Sequence, residues 1–196
     1  KDPAVLDAMR RVPREQFVPD LAVAEAYHDN ALPIDCQQTI SQPYIVALMS
    51  EAAELDGSQR VLEIGTGCGY QTAILAELAA EVISIERHMP WADQSRERLH
   101  GLGYTNIEII AGDGTLGWPE RAPYDRILVT AAAPRIPEPL WEQLAEGGIL
   151  VIPAGDTKSQ DLMAVKKCEG QPVVTHLSGC RFVKLIGAAG WDESNN

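Results

Sequence analysis

No two cysteines in this chain stand at C-x-x-C spacing, and neither cysteine nor histidine recurs at zinc-finger intervals, so no metal site is expected. Cys36, Cys68, Cys168 and Cys180 read as reduced thiols, and the one pairing left open is Cys168 with Cys180 across a C-terminal hairpin. Long apolar runs are also missing. Ile127-Leu128-Val129-Thr130-Ala131-Ala132-Ala133 is among the longest and falls well short of a membrane-spanning helix. No basic stripe offsets the net charge of −12, which argues against tight binding to nucleic-acid phosphates. Repeats and low-complexity tracts are absent, and Lys1-Asp2-Pro3 runs straight into a helical pattern with no leader-like segment. The expectation is a cytoplasmic protein of 196 residues, 45% hydrophobic, folding as one domain with a sizeable core.

What is present centres on residues 61–69, Val-Leu-Glu-Ile-Gly-Thr-Gly-Cys-Gly, a short buried strand that empties into three alternating glycines. Gly65, Gly67 and Gly69 allow a turn tight enough for backbone to press against a ligand. Tyr70 to Ala76 then opens a helix whose N-terminal amides face the same crevice. The spacing is G-x-G-x-G, because Tyr70 stands where a dinucleotide fold has its third glycine. Glu63, ahead of the first glycine, suits an ammonium group better than phosphates. Both features point from NAD toward S-adenosylmethionine, which carries an amino acid where NAD carries a diphosphate.

Asp2-Pro3 caps a first helix striped by Val5, Met9 and Val12. Residues 13–42 lose periodicity and read as an irregular arm, too long for a plain connector and so a candidate binding element. Gln42-Pro43 starts a second helix. An α/β rhythm follows: strand 61–64, helix 70–79, strand 82–85, helix 90–102, strands 107–110 and 126–130, helix 137–144 and strand 149–152. This predicts a Rossmann-like α/β fold with a mostly parallel central sheet and helices on both faces. Leu162 to Val165 and Val173 to Leu177 flank Glu169-Gly170-Gln171-Pro172, so the sheet should end in an antiparallel hairpin. The chain then divides into an N-terminal arm and substrate loop (1–56), a cofactor-binding core (57–153) and a C-terminal hairpin and tail (154–196).

Ligands of open α/β sheets sit outside the carboxyl ends of the strands. Glu86 ends the second strand of the core, about 20 residues past the first glycine, where an acid can accept from both ribose hydroxyls. Asp113, between Gly112 and Gly114 at the end of the third strand, can accept from an adenine amino group. His28, His88, His100 and His176 read as structural, Trp118 and Trp191 as packing residues, and Cys68 as a small residue fitted to its turn.

With those residues in view, the chain resembles the protein-L-isoaspartate O-methyltransferases from about Val5 to Trp191. The resemblance is carried by Arg11-Val12-Pro13-Arg14, Ala31-Leu32-Pro33-Ile34, Gln38-Thr39-Ile40-Ser41-Gln42-Pro43-Tyr44, the Glu63 to Tyr70 turn, Gly112-Asp113-Gly114-Thr115, Thr130-Ala131-Ala132-Ala133-Pro134, Gly147-Gly148 and Arg181-Phe182-Val183. It implies methyl transfer from S-adenosylmethionine to the free α-carboxylate of isoaspartyl residues in damaged proteins, followed by closure to a succinimide. Ser41 corresponds to the family's active-site serine. Cofactor contacts are assigned to Ile40, Ser41, Gln42, Pro43, Glu63, Ile64, Gly65, Thr66, Gly67, Glu86, Arg87, Asp113 and Gly114. Substrate contacts are assigned to Thr39, Ile40, Ser41, Val183 and Ile186. The partners implied are damaged peptides and proteins, met by a monomer, with neither nucleic acid nor membrane involved.

The chain departs from the family at Asp35-Cys36-Gln37, where glycines are usual, and at Lys184, where proline is usual; both bear on peptide preference. A carboxylate with a pKa of about 3.5–4 is already ionised at neutral pH and needs no general base. A hydroxyl that holds it in line is sufficient. Two alternatives stand beside this reading: a related O-methyltransferase acting on an aspartate of a ribosomally made peptide or on a small acid, and a binding module that has kept the fold without catalysis. For Ser41, a helix cap before Pro43 is the alternative role.

Overall fold

The computed structural model describes residues 1–34 and 38–193. Seven strands form one sheet: β3 (Arg60–Ile64), β4 (Glu81–Glu86), β5 (Ile107–Ala111), β6 (Tyr124–Val129), β7 (Leu144–Gly155), β8 (Gln160–Cys168) and β9 (Gln171–Cys180). Their spatial order is β5-β4-β3-β6-β7-β8-β9, parallel as far as β7 and antiparallel beyond it. Helices α1 (Pro3–Arg11), α2 (Pro43–Ala52), α3 (Tyr70–Leu78), α4 (Met89–Gly101) and α5 (Glu138–Gln143) surround it. After β3 the chain builds outward through β4 and β5, then returns to place β6 on the other side of β3. The carboxyl ends of β3 and β6 therefore flank the reversal at which such sheets bind ligands.

Alternation along the strands divides the core. Leu62, Ile64, Ile83, Ile85, Ile127, Val129, Leu150 and Ile152 share one face with Leu140 of α5. Val61, Val82, Leu128, Ile149 and Val151 share the other with Met49 of α2 and Leu75 and Ala76 of α3. Because α3 also supplies Ala73, Ile74 and Leu78 to a further cluster with Val5 and Ala8 of α1, it is apolar nearly all round, as an enclosed helix should be. Only Glu77 of α3 reaches the surface, and it pairs there with Arg11 at 2.7 Å.

The predicted helices and strands are found, with boundaries that moved. Helix α5 is six residues long, and β7 begins at once after it and runs for twelve, far beyond 149–152. A register shift between Tyr124 and Arg126 absorbs the extra residues of β7. The hairpin turn is Glu169-Gly170 alone, with φ of 52° and 72°, and Cys168 pairs with Gln171. That two-residue loop has the twist which suits antiparallel strands. Cys180 pairs with Gln160 at the far end of the same ladder, so the Cys168–Cys180 pairing fails on register; both are free thiols, as is Cys68. Cys36 lies outside the described residues, as do Asp35 and Gln37.

The arm holds more order than its sequence announced. Two short 3-10 segments, Arg14–Phe17 and Asp20–Glu25, lead to an antiparallel ribbon of β1 (Leu32–Pro33) and β2 (Thr39–Ile40), paired Leu32 with Ile40 and Pro33 with Thr39. Strands of two residues are too short for any periodic signal. In the connection from α2 to β3, Asp56 Oδ1 accepts from Ser58 N at 3.0 Å and Ser58 Oγ at 2.6 Å. The N-cap of α2 is Gln42, which makes no side-chain cap bond. Asp29 does that work from the arm, accepting from Tyr44 N at 3.0 Å and from Gln42 Nε2 at 2.9 Å. Ser41 is therefore not the helix cap.

Asp29→Ala should lose about 1 kcal/mol of stability, the usual value of a lost N-terminal cap, and lower Tm by roughly 2–4 °C for a chain of this size. Asp29→Asn, which keeps an acceptor, should recover most of the loss. Calorimetric melting of the three proteins checks this, and equal melting of Asp29→Ala and wild type would show that the cap is idle.

Candidate active site

Gly65 follows β3 with φ of +96°, and a Cβ there would collide with Thr130 Oγ1. The contact is close because Thr130, just past β6, donates its N–H to Ile64 O at 2.9 Å and its hydroxyl to Gly65 O at 2.6 Å. The two strand ends are thus stitched together at the reversal point. Gly114 is constrained similarly, since a Cβ would lie 2.5 Å from Ile64 Cγ2. Glu86, buried at the end of β4, accepts from Gly67 N and His88 N, both at 2.9 Å. Its carboxylate braces the glycine turn on one side and the start of α4 on the other.

These groups open on a cavity of about 710 Å³. The cofactor turn contributes Ile64, Gly65, Thr66 and Gly67; the strand ends contribute Glu86, Arg87 and Gly114. Thr39, Ile40 and Ser41 line it from the arm, and Val183 and Ile186 from the tail. Of the other predicted residues, Gln42 and Pro43 start α2 and do not line the cavity. Asp113 lies in an adjoining hollow of about 660 Å³ with Arg87, Ile186 and the Gly187–Glu193 tail. Its Oδ1 accepts from Thr115 N at 2.9 Å and Thr115 Oγ1 at 2.7 Å, and its Oδ2 accepts from Ala188 N at 2.8 Å. The tail is held further by Trp191 Nε1, which donates to Ala132 O at 3.0 Å.

Glu63 also does not line the cavity. It is fully buried beneath the turn, where its Oε2 accepts from Thr72 Oγ1 and Ser84 Oγ, both at 2.6 Å. Its register partner across the ladder is Ser84, so the acid points to the α3 side of the sheet. Oε1 has no hydrogen-bond partner. Desolvation raises the carboxyl pKa to about 7, opposed by the two hydroxyl bonds.

Several lining residues stand outside the site roles that the sequence implies. Thr130 belongs to the expected strand 126–130 and to a motif of the resemblance without a site role, although a hydroxyl at a strand end beside a glycine turn is a positional signal. His88 lines the cavity and its backbone engages Glu86. Lys184, the departure from proline, sits in a bridge with Ala132 built from Val183 O and Leu185 N, so the bridge makes no use of the N–H of residue 184.

The raised pKa of Glu63 has a definite sign. Folding favours its protonated form, so it costs no stability below about pH 4.5, an increasing amount as pH rises to about 7, and a constant amount above. The full cost is roughly 3 kcal/mol at 1.36 kcal/mol per unit. In the ligand-free protein, Glu63→Gln should gain on wild type between pH 5 and pH 8. Denaturant titrations at both pH values check this; parallel pH profiles would mean that Glu63 does not titrate on folding.

A family model described as protein-L-isoaspartate(D-aspartate) O-methyltransferase matches residues 1–190. The protein-L-isoaspartate O-methyltransferase 1 of Syntrophobacter fumaroxidans is 53% identical over 191 residues, covering 97% of this chain and 89% of that one. The protein-L-isoaspartate O-methyltransferase of Methanoculleus marisnigri is 55% identical over 190 residues, covering 97% and 86%. A solved protein-L-isoaspartate O-methyltransferase superposes with a TM-score of 0.88 at 31% identity; the match covers 96% of this chain but 63% of that longer one. A putative protein-L-isoaspartate O-methyltransferase from Plasmodium falciparum, solved with S-adenosyl-L-homocysteine, superposes with a TM-score of 0.82 at 26% identity over 95% of this chain and 91% of that one. With a family model matching residues 1–190 and relatives more than half identical over nearly the whole chain, the chain belongs to the protein-L-isoaspartate(D-aspartate) O-methyltransferase family.

Proposed function

We propose that this protein transfers a methyl group from S-adenosylmethionine to the free α-carboxylate of L-isoaspartyl residues in damaged proteins, the first step of repair through a succinimide. The observation that carries this reading is the single cavity bounded by the glycine turn, the Thr39–Ser41 segment and the Val183–Ile186 tail. One chain supplies all three walls, so the working unit is taken to be the monomer, acting as one methyltransferase domain in the cytoplasm. No helix of the described residues is long and apolar enough to cross a membrane.

The residues present fit the cofactor. Glu63, buried beneath the turn and outside the cavity lining, acts on the ammonium end of the cofactor through its charge and not by contact. Glu86 suits the ribose hydroxyls and Asp113 the adenine amino group, each at a strand end. Ile64, Gly65, Thr66, Gly67, Arg87 and Gly114 complete that side, with Ile40 and Ser41 reaching it from the arm. When bound, S-adenosylmethionine supplies an activated methyl group on a sulfonium that leaves without protonation.

What the chain itself must do is orient and exclude. The Ser41 hydroxyl holds the incoming carboxylate, which is ionised already and needs no proton removed. Thr39, Ile40, Val183 and Ile186 flank the peptide and keep water from the reacting atoms, so that the catalysis is alignment and desolvation.

Two measurements test this reading. Radiolabelled methyl should enter an isoaspartyl peptide as a base-labile ester and enter its aspartyl twin little; equal labelling would reject the repair assignment and leave a general carboxylate methyltransferase. Ser41→Ala should lower methyl transfer by roughly tenfold to a thousandfold, the range for single orienting groups, while calorimetric affinity for S-adenosylmethionine stays near wild type. A Ser41→Ala protein that methylates at full rate would move carboxylate binding to another residue of the loop or tail.

A further inference from the structure

Arg14 is the most unexpected residue of the core: a guanidinium 1% exposed, beside an apolar cluster that includes Phe17 and Tyr70. Its Nε donates to Ala26 O at 2.6 Å and its Nη2 to Ser41 O at 2.7 Å. Its Cζ stands 4.7 Å from the centroid of the Tyr70 ring, and Phe17 meets the same ring edge-on at 5.4 Å. Nη1 is buried with no partner. A buried cation with one nitrogen unsatisfied is costly, and core packing alone would be better served by an apolar side chain.

The three groups that Arg14 touches belong to separate parts of the site. Ala26 ends the second 3-10 segment of the arm, Ser41 lies in the substrate loop, and Tyr70 is the first residue of α3, directly after the glycine turn. Thr39–Ser41 has little regular structure of its own, being a two-residue strand and the residue after it. Holding the Ser41 carbonyl fixes the backbone of that residue against Tyr70. It does so through the planar fork that lets one side chain serve two carbonyls and stack on a ring, which lysine cannot reproduce.

We infer that Arg14 is a positioning residue for methyl transfer, acting through Ser41 by locking the substrate loop to the start of α3. The inference rests on the role proposed above for Ser41. It requires the effect of changing Arg14 to appear in kcat, to leave cofactor affinity alone, and to vanish when the Ser41 hydroxyl is already gone.

A double-mutant cycle of Arg14→Lys with Ser41→Ala reads this directly. Arg14→Lys should lower kcat on the isoaspartyl peptide by about tenfold or more, with S-adenosylmethionine affinity within about twofold of wild type. In the Ser41→Ala background the same change should alter kcat by less than about twofold. An equal drop in both backgrounds, or a parallel loss of cofactor affinity, would overturn the inference and leave Arg14 as a fold residue. Should Arg14→Lys fail to fold, Arg14→Gln, which keeps a planar amide donor, takes its place in the same cycle. Ser41→Ala at full rate would remove the reading beneath the inference, whereas Arg14→Lys at full rate would remove the inference alone.

Discussion

The site depends on how closely the ends of β3 and β6 approach each other. Thr130 reaches the carbonyls of Ile64 and Gly65, leaving no room for a side chain at position 65. That contact sets the path of the glycine turn, which in turn presents Gly67 N to Glu86 and launches α3 at Tyr70. The parallel strands matter to function chiefly because they deliver these two ends side by side. The end of β4 adds Glu86 and Arg87 beside this junction, and the arm and the tail close over it from either side.

Much of this was legible in the sequence because it is periodic or punctuated. The strands announced themselves as apolar runs, and the turn as three glycines. The antiparallel ending is signalled by Glu169-Gly170-Gln171-Pro172 between two apolar runs. The arm was not legible, because its order comes from long-range bonds and not from repeats. Arg14 to Ala26 and Ser41, and Asp29 to Tyr44 and Gln42, join residues that no local pattern connects. A lone arginine or aspartate in an irregular segment gives no hint that it is a tie.

Glu63 shows a different limit. Its sequence position suggested a group facing the ligand, yet the alternation of β3 turns it toward α3, where Thr72 and Ser84 hold one oxygen and nothing holds the other. A pattern of residue types gave the neighbourhood of the acid but not its exposure. Asp113 likewise stands at the strand end expected of it, while its carboxylate is occupied by Thr115 and the amide of Ala188.

The turn at Asp56 has a consequence for the durability of the protein itself. Isoaspartate arises when the backbone nitrogen after an aspartate attacks the side-chain carbonyl, a ring closure that a following glycine obstructs least. This chain contains that dipeptide at Asp56-Gly57 and at Asp113-Gly114. In both, one carboxylate oxygen accepts two hydrogen bonds from the residue after the glycine, the amide and hydroxyl of Ser58 in one case and of Thr115 in the other. At Asp56 the Ser58 hydroxyl and amide bonds hold the carboxyl below its usual pKa, keeping it in the ionised form, which is the poorer electrophile. The same short motif, aspartate-glycine-hydroxyl, thus ties down the carboxylate at the two places where this chain is most open to the lesion its family repairs.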